Sequence, residues 1–215
     1  MDHKKTLRRL DAVDVNADVF IVSQALAENQ LRKTGVNFFS ENGMPGSTGK
    51  NLEGILNQIG RTVYPPKNVQ LENGIQISNK RMNYISVYNS EIAHCYPGKN
   101  RNGKGDRRPS FEEIKRCLHA GFLTREIEII RPKIIILMGR LSRDIFFHHV
   151  LRTSFPKSLT DHISQIVYQR EIPEFEVGNH KSKVMPLQHA SGANPRYRQL
   201  LQDNNLIEMM KKALL

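Results

Sequence analysis

Apolar residues along the chain gather into four short runs: Asp18–Ser23 (DVFIVS), Asn83–Tyr88 (NYISVY), Lys133–Met138 (KIIILM) and Lys183–Leu187 (KVMPL). Continuous apolar runs without polar alternation suit strands covered on both faces. Pro186 inside the fourth run points to a sheet edge or a strand end. Between the runs the spacing turns helical. Ser47–Ile59 sets Leu52, Ile55, Leu56 and Ile59 on one stripe, with Gly60 as a stop. Ser110 followed by Glu113 opens a capping-box helix that reads through Ile130 and stops before Pro132. Leu141–Val150, Asn194–Gln202 and Asn205–Leu214 also read as helical, whereas Tyr64–Arg81 and Pro97–Pro109 read as long loops. Strands alternating with helices predict an α/β protein: a three-layer α/β/α sandwich around a central four-stranded parallel sheet, as one domain over residues 1–215.

Charge narrows the picture. With 32 Lys+Arg against 21 Asp+Glu the chain carries a formal +11, which favours polyanions through phosphate contacts and counterion release. Nucleic acid is one such partner; membrane surfaces and other acidic partners are the others. The loop PGKNRNGKGDRRP is Gly-rich and basic, either a solvated insert or a phosphate-contacting segment. Residues Met1–Arg9 lack the apolar stretch of a secretory leader, and the apolar run Ile134–Met138 is far too short to span a bilayer. The two cysteines, Cys95 and Cys117, do not make a secreted disulfide framework. The expectation is a cytoplasmic, reduced, monomeric protein that does not enter membranes.

Ligands of open α/β sheets bind beyond the carboxyl ends of the strands. Reading those ends in order brings together Ser23 to Glu28, then Asn89-Ser90-Glu91, then Gly139-Arg140, then Gln188 to Gly192 with His189. Polar residues, two carboxylates and one histidine thus converge on one place. A histidine at such a position is either catalytic or a hydrogen-bonded loop residue.

In its motifs the chain resembles the uracil-DNA glycosylase superfamily, its family 4 and family 5 branches in particular, from about Asp18 to Leu201. Ser23-Gln24-Ala25-Leu26-Ala27 is similar to the family's first motif (G-E-A-P-G or G-L-A-P-A), and Lys33-Thr34-Gly35 to the R-T-G that follows it. Phe38, with Phe39 beside it, matches the aromatic that stacks on the flipped base. Gly46-Ser47-Thr48-Gly49-Lys50-Asn51-Leu52 matches a helix-opening G-x-x-G-x-x-L, and His94-Cys95-Tyr96-Pro97 a K/R-C-x-P segment. Pro109 through Cys117 is similar to the family's helix bearing a cysteine after P-x-x-x-E. Arg131 to Arg140 resembles its P-K-v-i-v-x-L-G strand, and His189-Ala190-Ser191 its H-P-S motif, with Asn194 five residues past the histidine.

The departures are informative. Family 4 holds an iron–sulfur cluster on four cysteines; here Cys95 and Cys117 fill two of those positions, so no cofactor and no metal are expected. Gln24 stands where the family has a catalytic Glu. Family 4 reads uracil with an Asn four residues before the cysteine, and here that position is Glu91. An ionised Glu only accepts hydrogen bonds, which suits a base bearing an exocyclic amine. Asn89, two residues earlier on the same strand face, is the alternative reader. Plain cytosine cannot be a target in the host genome, which points to a modified cytosine of foreign, phage-type DNA and to antiviral defence. The insert between Phe38 and Gly46 (FSENGMPG) lengthens the pocket rim, with room for a bulky substituent on the base.

What the resemblance implies is a DNA glycosylase. It flips a base from the stack, stacks it on Phe38, and cleaves the bond to the sugar. His189 donates to the departing base, Glu28 and Glu41 are the two candidate carboxylates that orient the attacking water, and Gln24 occupies the catalytic first-motif position without a carboxylate base. The segment after His189, with Ser191, Asn194, Arg196, Tyr197 and Arg198, suits minor-groove contact and wedging, and Arg107 and Arg108 suit phosphates. Two other readings stay open: a repair glycosylase for uracil or other deaminated bases, and an inactive DNA-binding protein on the same fold.

Overall fold

The computed structural model describes residues 17–25, 46–63, 70–72, 75–77, 87–94, 96–191 and 194–215. Glu28, Phe38, Phe39, Glu41, Cys95, the Lys33-Thr34-Gly35 motif and most of the rim insert lie outside them.

The main sheet is built from β1 (Val19–Ala25), β4 (Val87–Ala93), β5 (Ile134–Met138), β6 (Glu174–Val177) and β7 (His180–Leu187). Its spatial order is β4-β1-β5-β7-β6. β4, β1, β5 and β7 are mutually parallel, as the apolar runs predict. A fifth strand, β6, extends the sheet antiparallel to β7. It is hidden in the sequence because its residues alternate in exposure and it is short, yet the two-residue Gly178-Asn179 turn that makes the hairpin is written there. Gly178 has φ +62, a conformation in which any side chain is strained, and a Cβ there would also displace the Glu128 carboxylate. Pro186 falls near the end of β7, past the last residue paired with β6, where a missing N–H costs no ladder bond on that side.

Three other expectations need correction. The strand expected at Asn83–Tyr88 is found at Val87–Ala93, so Asn89, Ser90 and Glu91 lie inside β4 rather than past its end. Polar residues are tolerated there because Ser90 Oγ donates to the buried carboxylate of Glu126 and Ser23 Oγ donates to the Ser90 carbonyl at 3.4 Å. The helix expected from Ser110 to Ile130 is two helices, α2 (Phe111–His119) and α3 (Phe122–Ile130), parted at Gly121 with φ +70. The loop expected at Tyr64–Arg81 contains a small antiparallel pair, β2 (Gln70–Glu72) with β3 (Ile75–Ile77).

Helices cover both faces. On one side α1 (Ser47–Gln58), α5 (Leu159–Gln169), α6 (Pro195–Leu200) and α7 (Asn204–Ala213) press Leu52, Ile55, Ile163, Tyr197, Leu206 and Met210 onto Val19, Ile21, Ile136 and Met185. On the other side α2, α3 and α4 (Arg140–Ile145) press Ile114, Ile127, Ile145 and Phe146 onto Phe20, Val22, Ile135 and Val184. Each such fully buried side chain contributes about 1.5–3 kcal/mol. α5 adds a helix beyond those the spacing predicts, and Ser158 caps it by accepting from the Asp161 N–H. α4 passes into a single π turn, Phe146–Val150.

Candidate active site

The carboxyl ends of β4, β1, β5 and β7 open on one side of the sheet, and most of the described candidate residues stand there. Three strand spacings separate β4 from β7, about 14 Å, a span that side chains reaching in from the two sides can bridge to one flat ring.

β4 supplies Asn89 and Glu91. In the β1–β4 register Asn89 pairs with Ile21 and Glu91 with Ser23. The alternation of the strand therefore puts both on the face that holds Val19, Ile21 and Val87. Asn89 Oδ1 is buried and has no hydrogen-bond partner among the described residues. Glu91 is buried, with His94 Nδ1 4.0 Å from its Oε2. Loss of solvent, reinforced by the carboxylate of Glu126, pushes the Glu91 carboxyl up to about 8. The ionised Glu91 expected from sequence is thus the minor form at neutral pH, because burial on β4 disfavours the charge.

β1 ends in half-buried Gln24 and Ala25. β5 ends at Met138, just before Gly139, whose φ is +86 and whose N–H donates to the Leu187 carbonyl at 2.8 Å. A Cβ on Gly139 would stand 3.4 Å from the Cβ of His189 and 3.6 Å from its Cδ2, so the bare glycine makes the seat of the imidazole.

His189 follows β7 and reaches solvent on one side, while its packed side loses water. That desolvation holds its pKa below the ordinary histidine value, which favours the neutral ring. The backbone around it is tied from two directions. Asn51 Nδ2, from α1, donates to the Ala190 carbonyl at 2.9 Å, and buried Tyr197 donates its hydroxyl to the Asn51 carbonyl at 2.9 Å. Asn194 Nδ2 donates to the His189 carbonyl at 3.1 Å, while its Oδ1 caps α6 by accepting from the Arg196 N–H. The sequence presents Asn51 only as part of a helix-opening motif; its role in holding the histidine loop emerges with the fold.

The expected DNA contacts divide. Arg108 and Arg198 are exposed; Arg196 is exposed too, with Nη1 3.2 Å from Thr160 Oγ1. Ser191 is half-buried, and its carbonyl accepts from the Asn194 N–H. Asn194 is occupied in positioning the loop, and Tyr197 is core, 2% exposed, so it is no wedge. Arg107 grips both oxygens of Glu113 at 2.8 and 2.5 Å, which holds that carboxyl down at about 2. The loop after β4 is a braced turn rather than a loose insert. Lys99 bridges to Asp106, Asp106 also accepts from the Tyr96 hydroxyl at 2.9 Å, and Arg101 and Lys104 are exposed near its tip.

The two cysteines cannot supply the four ligands of a cluster. Cys117 is buried in the α2 layer, on the side of the sheet that holds Ile114 and Leu123. Among the described residues no group of three His, Cys, Asp or Glu is placed to hold a metal. The residues present do not fit the family 4 cluster. No helix among the described residues is long and apolar enough to cross a membrane.

Two similar proteins carry the name of type-4 uracil-DNA glycosylase. The type-4 uracil-DNA glycosylase of Archaeoglobus fulgidus is 32% identical over 62 residues, 29% of this chain and 27% of that protein. That of Saccharolobus solfataricus is 30% identical over 131 residues, 60% of this chain and 52% of that protein. The matches thus span about a quarter and about half the length of these relatives. The family model of the uracil DNA glycosylase superfamily matches residues 10–214, nearly the whole chain, and the chain belongs to that superfamily.

Proposed function

We propose that this protein is a DNA glycosylase that extrudes a non-standard base and hydrolyses its N-glycosidic bond, the base being a modified cytosine-type pyrimidine of foreign DNA. One observation carries the reading: buried Glu91 and the open acceptor of Asn89 share a face of β4, across the strand ends from a histidine seated on Gly139. A carboxyl oxygen of Glu91 can accept from the exocyclic amine of a cytosine-type base, and the described rim of the site leaves the choice of base to the competition experiment below.

The remaining chemistry follows from charge. As the glycosidic bond breaks, the sugar gains positive and the base negative charge. A neutral imidazole N–H at His189 meets the developing charge on the base oxygen, as an oxyanion-hole donor does. The phosphates of the DNA steady the cationic sugar. Water then attacks the sugar carbon and leaves its proton to solvent or a nearby base, with Gln24 and Glu28 as the groups that orient it and Phe38 as the stacking platform. Exposed Arg108, Arg196 and Arg198 meet the phosphates.

A repair glycosylase for uracil is the second reading. It is favoured by Asn89, whose unsatisfied Oδ1 can accept from a ring N–H while its amide donates to a base oxygen, and by the activity that the names of the two relatives carry. Competition between uracil and modified-cytosine oligonucleotides separates the two. Preferential release of the modified cytosine supports the first reading, and preferential release of uracil the second.

A further inference from the structure

We propose that Glu91 reads the extruded base as a neutral carboxylic acid, its O–H donating and its C=O accepting on adjacent atoms of the pyrimidine edge. This rests on the glycosylase reading and specifies how the base is held.

Glu91 lies inside β4 opposite Ser23 of β1, with a side chain 9% exposed. The charged group that acts on it most strongly after burial is another acid. α3 contributes Glu126, itself an acid held by the Ser90 hydroxyl and, at 3.4 Å, by the Tyr88 hydroxyl. β4 contributes Tyr88, whose phenol is pushed well up by burial and by both carboxyl groups, and β1 contributes the neutral hydroxyl of Ser23. His94 at the end of β4 stands at 4.0 Å, its ring edge-on to Phe122 at 5.7 Å between centroids. A carboxylate at this place would be desolvated beside a second acid, and the proton resolves that conflict.

The proton also changes what Glu91 can recognise. A carboxylate has only acceptors, whereas the acid has one donor beside one acceptor. On a cytosine-type edge the O–H donates to N3 and the C=O accepts from the amine. On a uracil edge the O–H donates to O4 and the C=O accepts from N3–H. Either pair is the arrangement that an Asn or Gln amide offers, so Glu91 keeps the logic of the family's Asn with a different group. Deprotonation removes the donor and sets an oxygen against a base lone pair.

The test is single-turnover base release across about pH 6–10 from modified-cytosine and uracil oligonucleotides, by wild type, Glu91→Ala and Glu91→Gln. Isotope-edited NMR of the Glu91 carboxyl in the free protein runs beside it. Wild-type release should fall about tenfold per pH unit above a midpoint near 8. Glu91→Ala should lower release about 10–100-fold, the scale of one base-edge pair. Glu91→Gln should recover most of that loss and abolish the alkaline fall. A flat wild-type profile, a Gln variant as poor as Ala, or a carboxyl that titrates in the ordinary glutamate range would overturn the neutral reader while leaving the glycosylase reading intact. No release from either oligonucleotide by any variant, with the carboxyl still titrating high, would contradict the glycosylase reading, and the reader role with it.

Discussion

The amide of Asn194 donates to the carbonyl of His189 at 3.1 Å, and the same side chain accepts the Arg196 N–H that begins α6. One residue therefore fixes a helix start and the backbone of the histidine. Asn194→Ala removes both bonds. It should cost about 1 kcal/mol of stability, the usual scale for removal of a cap, and lower base release more than it lowers DNA affinity. Thermal denaturation and single-turnover release, measured together, check this. A variant that weakens DNA binding without touching release at saturating protein would return Asn194 to the role of a DNA contact.

Gly139 is a second control on the same ring. Its φ of +86 disfavours any side chain, and an added methyl would lie in contact with His189 at 3.4 Å. Gly139→Ala should cost about 1–3 kcal/mol of backbone strain and depress release beyond what that instability explains. A folded variant with normal single-turnover release would show that the seat is not needed.

Glu91 makes a stability prediction of its own sign. Its folded pKa, about 8, lies above that of the unfolded chain, so the folded state binds more protons between the two values. The Glu91 contribution is fully present below the unfolded glutamate range and is lost progressively as pH rises toward the folded value. Glu91→Gln should therefore raise the thermal midpoint at alkaline pH and change it little in acid. An equal shift at both ends of the range would contradict the buried acid. Glu113 has the opposite sign. Held down at about 2 by Arg107, it contributes stability above the ordinary glutamate range that is lost as pH falls toward its folded value.

Salt dependence separates the arginines. Arg108, Arg196 and Arg198 are exposed, whereas Arg107 is committed to Glu113. Replacing each of the first three with Ala should reduce the slope of log affinity against log salt by about 0.9 for every phosphate that the protein no longer neutralises. Arg107→Ala should loosen the loop and leave the slope nearly unchanged. A slope unmoved by the first three replacements would place the phosphate-binding surface elsewhere.

The apolar runs make the parallel sheet legible, because four strands covered on both faces must be written in Ile, Val, Leu and Phe. They end β4 too early because Asn89, Ser90 and Glu91 interrupt the apolar pattern that reveals the others. β6 alternates and hides among surface residues, and the break at Gly121 is masked because its neighbours keep helical spacing. Motif spacing nominates His189, Gln24, Asn89 and Glu91 as candidates, but it cannot give the state of Glu91. That depends first on burial inside the folded sheet and then on Glu126, which lies 35 residues further along the chain. Nor can spacing show that Tyr197 is core and that Asn194 ties the His189 carbonyl, since both sit in a stretch that reads as an exposed basic helix start.

Release of a base through His189 is tested most directly by mass spectrometry of the free bases liberated from a panel of DNAs, containing uracil and several phage-type modified cytosines, with wild type and His189→Ala side by side. A modified cytosine-type base should appear in the wild-type supernatant. Its rate of release should fall about 10²–10³-fold in the variant, the scale for losing one donor to a leaving charge, with DNA affinity nearly unchanged. No free base from any DNA, or the same yield and rate from His189→Ala, would contradict a glycosylase that works through this histidine.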